Sequence, residues 1–191
     1  MANSLNVMIV GVGGQGTLLA SRLLGSAMIQ SGYDVKVSEV HGMSQRGGSV
    51  VTYVKAGENV CSPTIEKGEA DIILSFEQLE AARWLPYLKK GGKIIVNTQS
   101  IDPMPVVIGA AKYPEDVLCA IGNTGVEIIS MDALKLALEA GSAKATNVVL
   151  LGAMAKYTGI DYEIFENAVK ETVPAKFLDM NLQALKLGYE A

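Results

Sequence analysis

The chain holds one histidine, His41, and two cysteines, Cys61 and Cys119, in 191 residues. A single histidine completes no Ser–His–Asp or Cys–His arrangement in the sequence, and it leaves a zinc site of the usual composition unsupported. An iron–sulfur cluster normally takes four closely spaced thiolates, so this chain alone cannot hold one. Two cysteines so far apart in sequence are expected to be buried, reduced and inert. Charged residues make up only 19% and the formal net charge is −4 with no basic run, which argues against nucleic acid as the main partner. No uninterrupted apolar run is long enough to span a bilayer, and Met1-Ala2-Asn3-Ser4 has neither the basic nor the apolar part of an export signal. A cytoplasmic protein without membrane contact is the expectation.

What is abundant is apolar residues, at 49% with a mean hydropathy of +0.27. That is rich for a free monomer and predicts apolar surface covered by a partner. The organising stretch is Asn6-Val7-Met8-Ile9-Val10-Gly11-Val12-Gly13-Gly14-Gln15-Gly16. A β-branched run enters glycines, and Thr17-Leu18-Leu19-Ala20 then opens a helical pattern. Gly11, Gly13 and Gly16 have the G-x-G-x-x-G spacing in the strand–turn–helix context that makes it informative. Gly11 would permit a sharp exit from the strand, Gly13 would let a ligand approach the backbone, and Gly16 would let the helix pack on the sheet. The free N–H groups of the first helical turn, including those around Gly14 and Gln15, suit a phosphate or carboxylate. A tight turn with no ligand is the competing reading.

The first helix is expected from about Gly14 to Ser31, stopped at Gly32. Asp34 to Val40 alternates as a strand, with Glu39 near where a dinucleotide-binding fold places a ribose-holding acid. No crossover helix follows. His41-Gly42-Met43-Ser44-Gln45-Arg46-Gly47-Gly48 is a polar, glycine-bounded loop, and Ser49 to Lys55 is another strand. In that loop Arg46 could clamp an anion bidentately, His41 could exchange a proton near neutral pH and Gln45 offers an amide. Gly47 and Gly48 would let backbone N–H groups line a site. Bracing of the loop is the alternative for each.

Further on, Ala70 to Phe76 reads as a buried parallel strand, Glu77 to Leu88 as a helix stopped at Gly91-Gly92, and Lys93 to Asn97 as a strand. Ligands in open α/β sheets gather beyond the carboxyl ends of strands, which gives Glu77, Asn97 and Thr98 weight as contacts against capping or turn roles. Val106-Val107-Ile108 is expected as a short edge strand and Pro114 to Ala120 as a helical turn or two. Gly125 to Ser130 is a strand, and Asp132 caps a helix over Ala133 to Ala140. From Ala145 the chain is helical: an apolar helix from Thr146 to Tyr157 suited to an oligomer contact, one capped by Asp161, and one after Pro174. The fold class is α/β: one three-layer, Rossmann-like domain over residues 1–191, with a mostly parallel sheet and covering C-terminal helices.

Gly11 to Gly16 together with Glu39-Val40-His41-Gly42-Met43-Ser44-Gln45-Arg46-Gly47-Gly48-Ser49-Val50 resembles the gamma-type subunit of the 2-oxoacid:ferredoxin oxidoreductases. Within that family the second motif is most similar to the beta subunit of indolepyruvate:ferredoxin oxidoreductases, and Ser62-Pro63, Ala70-Asp71 and Asn181-Leu182-Gln183-Ala184-Leu185 also fit. The resemblance covers nearly the whole chain. It implies oxidative decarboxylation of an aryl 2-oxoacid to an acyl-coenzyme A, with electrons passing to ferredoxin. Thiamine diphosphate, magnesium and [4Fe-4S] clusters would sit on a larger alpha subunit, and this chain would hold no cofactor alone beyond a contact to coenzyme A. It has no acidic, Asn-containing magnesium–diphosphate motif. The glycine-turn amides would meet a phosphate or carboxylate, while His41, Gln45 and Arg46 would face the partner's active site or the coenzyme A thiol end. A hetero-oligomer is implied, with a homodimer as the form of the isolated chain. The rival readings are a stand-alone NAD(P)-binding oxidoreductase and a non-catalytic assembly subunit.

Overall fold

The computed structural model describes residues 4–40 and 48–191. In chain order the elements are β1 (Leu5–Val12), α1 (Thr17–Gln30), β2 (Asp34–Val40), β3 (Ser49–Gly57), β4 (Ala70–Ser75), α2 (Gln78–Trp84), β5 (Leu88–Asn97), α3 (Met104–Val107), α4 (Val117–Gly122), β6 (Glu127–Met131), α5 (Ala133–Glu139), α6 (Thr146–Ala155), α7 (Tyr162–Thr172) and α8 (Leu178–Glu190).

The strands form one sheet in the order β2-β3-β1-β4-β5-β6. β1, β4, β5 and β6 are mutually parallel, and β3 pairs antiparallel with both β1 and β2. The connection between Val40 and Ser49 is too short for a parallel crossover, which needs roughly a dozen residues, so β3 must return antiparallel to β2. It lands between β2 and β1, with Val54 opposite both Val7 and Val37.

Alternation along the buried strands divides the core. Val7, Ile9, Leu74 and Ile95 face α1, α5, α6, α7 and α8, whereas Met8, Val10, Ile73 and Val96 face α2 and α4. This is the expected three-layer α/β architecture.

Several local expectations are corrected. α1 starts at Thr17 rather than Gly14, because Gly16 sits at φ 84° outside the helix. α2 ends at Trp84, since Pro86 has no N–H to continue the ladder and the chain passes through one 3₁₀ turn, Leu85–Tyr87. Gly91 and Gly92 then lie inside β5 at a register shift against β4 instead of stopping a helix. Val106 and Val107 belong to a helical turn, not an edge strand: Pro105 presets helical φ in its first turn, and the N–H groups of Val106 and Val107 donate to Pro103 C=O at 2.8 and 3.1 Å. Asp161 precedes α7 without a side-chain cap bond. Cys61 and Cys119 are exposed free thiols rather than buried ones.

The apolar α6 is not an outward-facing contact. Every residue from Asn147 to Ala155 is buried within the chain. Among the described residues, Met104, Val107 and Ile108 on and beside α3 are 66, 66 and 68% exposed, and further large apolar side chains stand exposed on other elements, Ile29 on α1 and Leu138 on α5 among them.

Candidate functional site

β1 delivers the chain to Val12 at the carboxyl end of the sheet, and residues 13–16 turn it into α1. α1 lies on one face and α2, after the neighbouring β4, on the other, so the glycine turn stands where the chain departs in opposite senses. Gln15 holds the turn. Its Oε1 accepts the Val12 N–H at 2.7 Å, and its Nε2 donates to Phe76 C=O at 3.1 Å and Gln99 Oε1 at 3.2 Å. The Gly13 N–H donates to Gly48 C=O at 2.9 Å, which joins the turn to the end of the second motif.

The glycines divide by physical cause. β1 continues through Gly11 to Val12, so Gly11 is not the exit from the strand; a Cβ there would stand 2.8 Å from Gln15 Oε1 and 3.0 Å from Phe76 Cβ. Gly14 has φ 100° and faces open space. Gly16 is also left-handed, and its Cβ would meet Asn147 Nδ2 at 2.8 Å; it permits close packing against α6 rather than against the sheet. Asn147 Nδ2 donates to Gly16 C=O at 3.2 Å.

The N–H groups of Gly14, Gly16, Thr17 and Leu18 have no acceptor among the described residues. Two clefts border the turn: Gly14 and Gly16 line both, Thr17 and Leu18 only the first. One, of about 310 Å³, lies between the turn and Val40, Val50, Val51 and Thr52. The other, of about 500 Å³, lies between the turn and Phe76, Gln99, Leu134, Lys144 and Thr146. Lys144 and Gln99 escaped the reading of the sequence. A lysine just before the helix opening at Thr146 was the available signal for the first; Gln99 enters only through its contact with Gln15.

His41, Gln45, Arg46 and Gly47 lie outside the described residues. Their flanks do not: Val40 lines the 310 Å³ cleft and Gly48 is bonded to Gly13. Asn97 is 1% exposed, and its amide is engaged on all sides. Nδ2 donates to Phe76 C=O at 3.3 Å and Oδ1 accepts the Ala133 N–H at 3.1 Å, tying β5 to α5. Thr98 is exposed at the same strand end, its N–H on Met131 C=O at 2.9 Å.

Glu77, 1% exposed, is the N-cap of α2: Oε2 accepts the Glu80 N–H at 2.9 Å, and Oε1 accepts the Ile101 N–H at 3.1 Å and the Tyr113 hydroxyl. Burial, and then the hydrogen bond to Glu77, push the Tyr113 phenol up to about 12. Glu39 lies on β2, and β3 separates it from β1. Two interstrand spacings of about 4.8 Å place it away from the turn, and its carboxylate accepts the Ser21 hydroxyl at 3.3 Å. It is not positioned as the ribose-holding acid of a dinucleotide site. Among the described residues no group of three or more His, Cys, Asp or Glu could hold a metal ion, and no helix is long and apolar enough to cross a membrane.

Comparison with known proteins matches residues 6–191 to the family described as pyruvate ferredoxin/flavodoxin oxidoreductase. The chain is 46% identical to the indolepyruvate oxidoreductase subunit IorB of Thermococcus kodakarensis, over 97% of this chain and 95% of that one. A keto/oxoacid ferredoxin oxidoreductase gamma subunit from Geobacter sulfurreducens superposes with a TM-score of 0.72 at 25% identity, covering 97% and 96% of the two chains. The 2-oxoglutarate:ferredoxin oxidoreductase of Magnetococcus marinus, solved with 2-oxoglutarate, coenzyme A and succinyl-CoA bound, has the same fold in 31% of its chain, with a TM-score of 0.74 at 18% identity over 100% of this chain.

Proposed function

Since the chain belongs to the pyruvate ferredoxin/flavodoxin oxidoreductase family, we propose that it is the small subunit of an indolepyruvate:ferredoxin oxidoreductase. The overall reaction converts an aryl 2-oxoacid, coenzyme A and two oxidised ferredoxins to aryl acyl-coenzyme A, carbon dioxide, two reduced ferredoxins and a proton. The observation that carries the reading is the 46% identity to an indolepyruvate oxidoreductase subunit along nearly the full length of both chains. Thiamine diphosphate and iron–sulfur clusters on a larger subunit supply the decarboxylation and the electron path.

This chain's part is to hold the acyl acceptor and complete the site. The N–H groups of Gly14, Gly16, Thr17 and Leu18, at the positive end of α1, suit a coenzyme A phosphate, and Lys144 adds a cation in the 500 Å³ cleft. The Gly13 N–H donates to Gly48 C=O at the end of the second motif, and the role proposed for His41, Gln45 and Arg46 of that motif is contact with substrate or coenzyme A. The position of Glu39 beyond β3 disfavours the NAD(P)-dependent alternative. Affinity purification of the tagged chain from its host tests the assignment. The expected result is a large thiamine- and cluster-bearing subunit in the eluate, with coenzyme A-dependent ferredoxin reduction on indolepyruvate. A chain that purifies alone and binds NAD would overturn it. Within the complex, Arg46→Ala should raise the KM for coenzyme A or the oxoacid without unfolding the subunit; an unchanged kinetic profile removes Arg46 from the site.

A further inference from the structure

β2 stands at one end of the sheet, and among the described residues no strand lies against its outer edge. Half of the peptide groups of a strand so placed reach outward without a ladder partner, and such edges are ordinarily blunted by a proline, a bulge, a short length or a free lysine. β2 has none of these. It runs seven residues without proline and keeps an unbroken register on β3, from Asp34 opposite Gly57 to Val40 opposite Val51. Lys36 is its one lysine, and Asp34 pairs with it from two residues back. Beside the edge runs a groove of about 440 Å³, lined by Arg22, Gly25 and Ile29 of α1, Val35 and Val37 of β2, and Glu171 of α7. Val37 and Ile29 are 43 and 62% exposed. An open ladder beside apolar side chains suits an added strand that carries an apolar residue on the same face.

We infer that this edge docks a second copy of the chain, β2 pairing antiparallel with β2 about a twofold axis through Val37. The strand itself selects that occupant. An axis perpendicular to the sheet keeps each side chain on its own face, so odd residues oppose odd ones and even oppose even. Centred on Val37, all seven residues pair: Val37 with its symmetry mate, Lys36 with Ser38, Val35 with Glu39 and Asp34 with Val40. A slip of two residues either way leaves five paired, and in one direction sets Lys36 against Lys36. The charges choose the same axis. α1 runs alongside β2, with Ser21 bonded to Glu39 and a Cβ on Gly25 falling 3.7 Å from Val37 Cγ2. Arg22 makes no ion pair among the described residues. Two turns further along α1, Gln30 Nε2 donates to Glu171 Oε2 at 3.0 Å. The midpoint of residues 22 and 30 is Ser26, next to the Gly25 that lies over Val37. The twofold that centres the strands therefore carries Arg22 of each copy to the end of the groove where Glu171 of the other stands. This contact is independent of the function proposed above, since it uses neither the glycine turn nor Lys144.

Sedimentation equilibrium of the full chain tests the proposal, with circular dichroism and thermal midpoints as controls for folding. The wild-type chain should be a dimer of twice 20.2 kDa at micromolar concentration. Val37→Lys, which sets two like charges on the axis, should give a folded monomer under the same conditions. Arg22→Glu and Glu171→Arg should each raise the dimer dissociation constant about tenfold or more, because like charges then meet across the axis. The double variant Arg22→Glu with Glu171→Arg rebuilds the pair in reverse and should recover most of the affinity. Both side chains are exposed, so the fold should tolerate either change. A wild-type chain that is monomeric overturns the proposal. So does a dimer indifferent to Val37→Lys and Arg22→Glu, which would place the contact on another face. If Val37→Lys fails to fold, the charge reversals decide: a double variant no tighter than the singles overturns the twofold. A monomeric wild type whose larger partner subunit is lost with Val37→Lys would assign the edge to that subunit and overturn the second copy.

Discussion

Gly14 and Gly16 are two residues apart, both left-handed, and face opposite constraints. At Gly14 a side chain meets open space, so alanine costs only the backbone strain, about 1 kcal/mol. At Gly16 the same strain is compounded by Asn147 Nδ2 at 2.8 Å, and by the loss of close approach between α1 and α6. Gly16→Ala is therefore expected to lower unfolding free energy by about 2–3 kcal/mol, and Gly14→Ala by about 1, in denaturant melts of the purified chain. Gly14→Ala should be the variant that raises the KM for coenzyme A in the complex, because its methyl projects into the space a phosphate would occupy. Equal destabilisation at the two sites with no kinetic change would favour a purely structural turn. The carboxylates show the same divergence at one scale: Glu77 is consumed in capping α2, while Glu80, three residues on in the first turn, reaches Ser49 of β3.

Between elements, α6 and α8 pack backbone against backbone. Gly152 on α6 faces the α8 backbone, where a Cβ would fall 2.1 Å from Leu185 C=O. Gly188 on α8 faces α6 in return, 1.9 Å from Val149 C=O. Neither obstacle is a side-chain tip that could swing aside, so the helices would have to separate. Gly152→Ala and Gly188→Ala should each cost about 3 kcal/mol or more, and they should do so without first altering the glycine turn at the far end of α1. The check is a chemical-denaturation midpoint on each variant; a loss below about 1 kcal/mol would mean that the two helices are free to move apart. This pair also explains why a helix as apolar as Thr146–Ala155 needs no external partner: α8, α1, α5 and the sheet surround it.

For the molecule as a whole, two half-buried tyrosines make stability depend on alkaline pH. Burial first and Glu77 second raise Tyr113 to about 12, and burial, followed by the charges of Glu166 and Glu190, raises Tyr162 to about 12. In the unfolded chain both titrate near 10.0. Raised pKa values mean that the folded state holds these protons more tightly, so the stability they confer is complete below pH 10 and is lost as pH rises to about 12. Unfolding followed at fixed denaturant across that window should show a steep fall, shallower in Tyr113→Phe. A flat profile between pH 10 and 12 would mean that neither phenol is held in its neutral form. Among the described residues, five helices on one face of the sheet bury the larger core while α2 and α4 line the other, and Met104, Val107 and Ile108 are among the large apolar side chains left uncovered.

Local pattern alone decided the order of the main strands and helices, the glycine turn, the strand at Asp34–Val40 and the further strand that begins at Ser49. Those features depend on residue spacing and backbone preference, which lie within a few neighbours. The two motifs, in register, also sufficed to place the chain in its family. What pairs across distance was out of reach. That β3 inserts between β2 and β1, removing Glu39 from the turn, follows from sheet pairing. That Gly16 exists for Asn147, that Asn97 ties β5 to α5, and that Glu80 answers Ser49 are contacts between residues 31 to 131 positions apart. The cysteines came out exposed because their setting, an irregular segment and the outer side of α4, depends on which face of each element the core claims. Periodicity reports that an element has an apolar side; only the packed chain decides what that side is packed against.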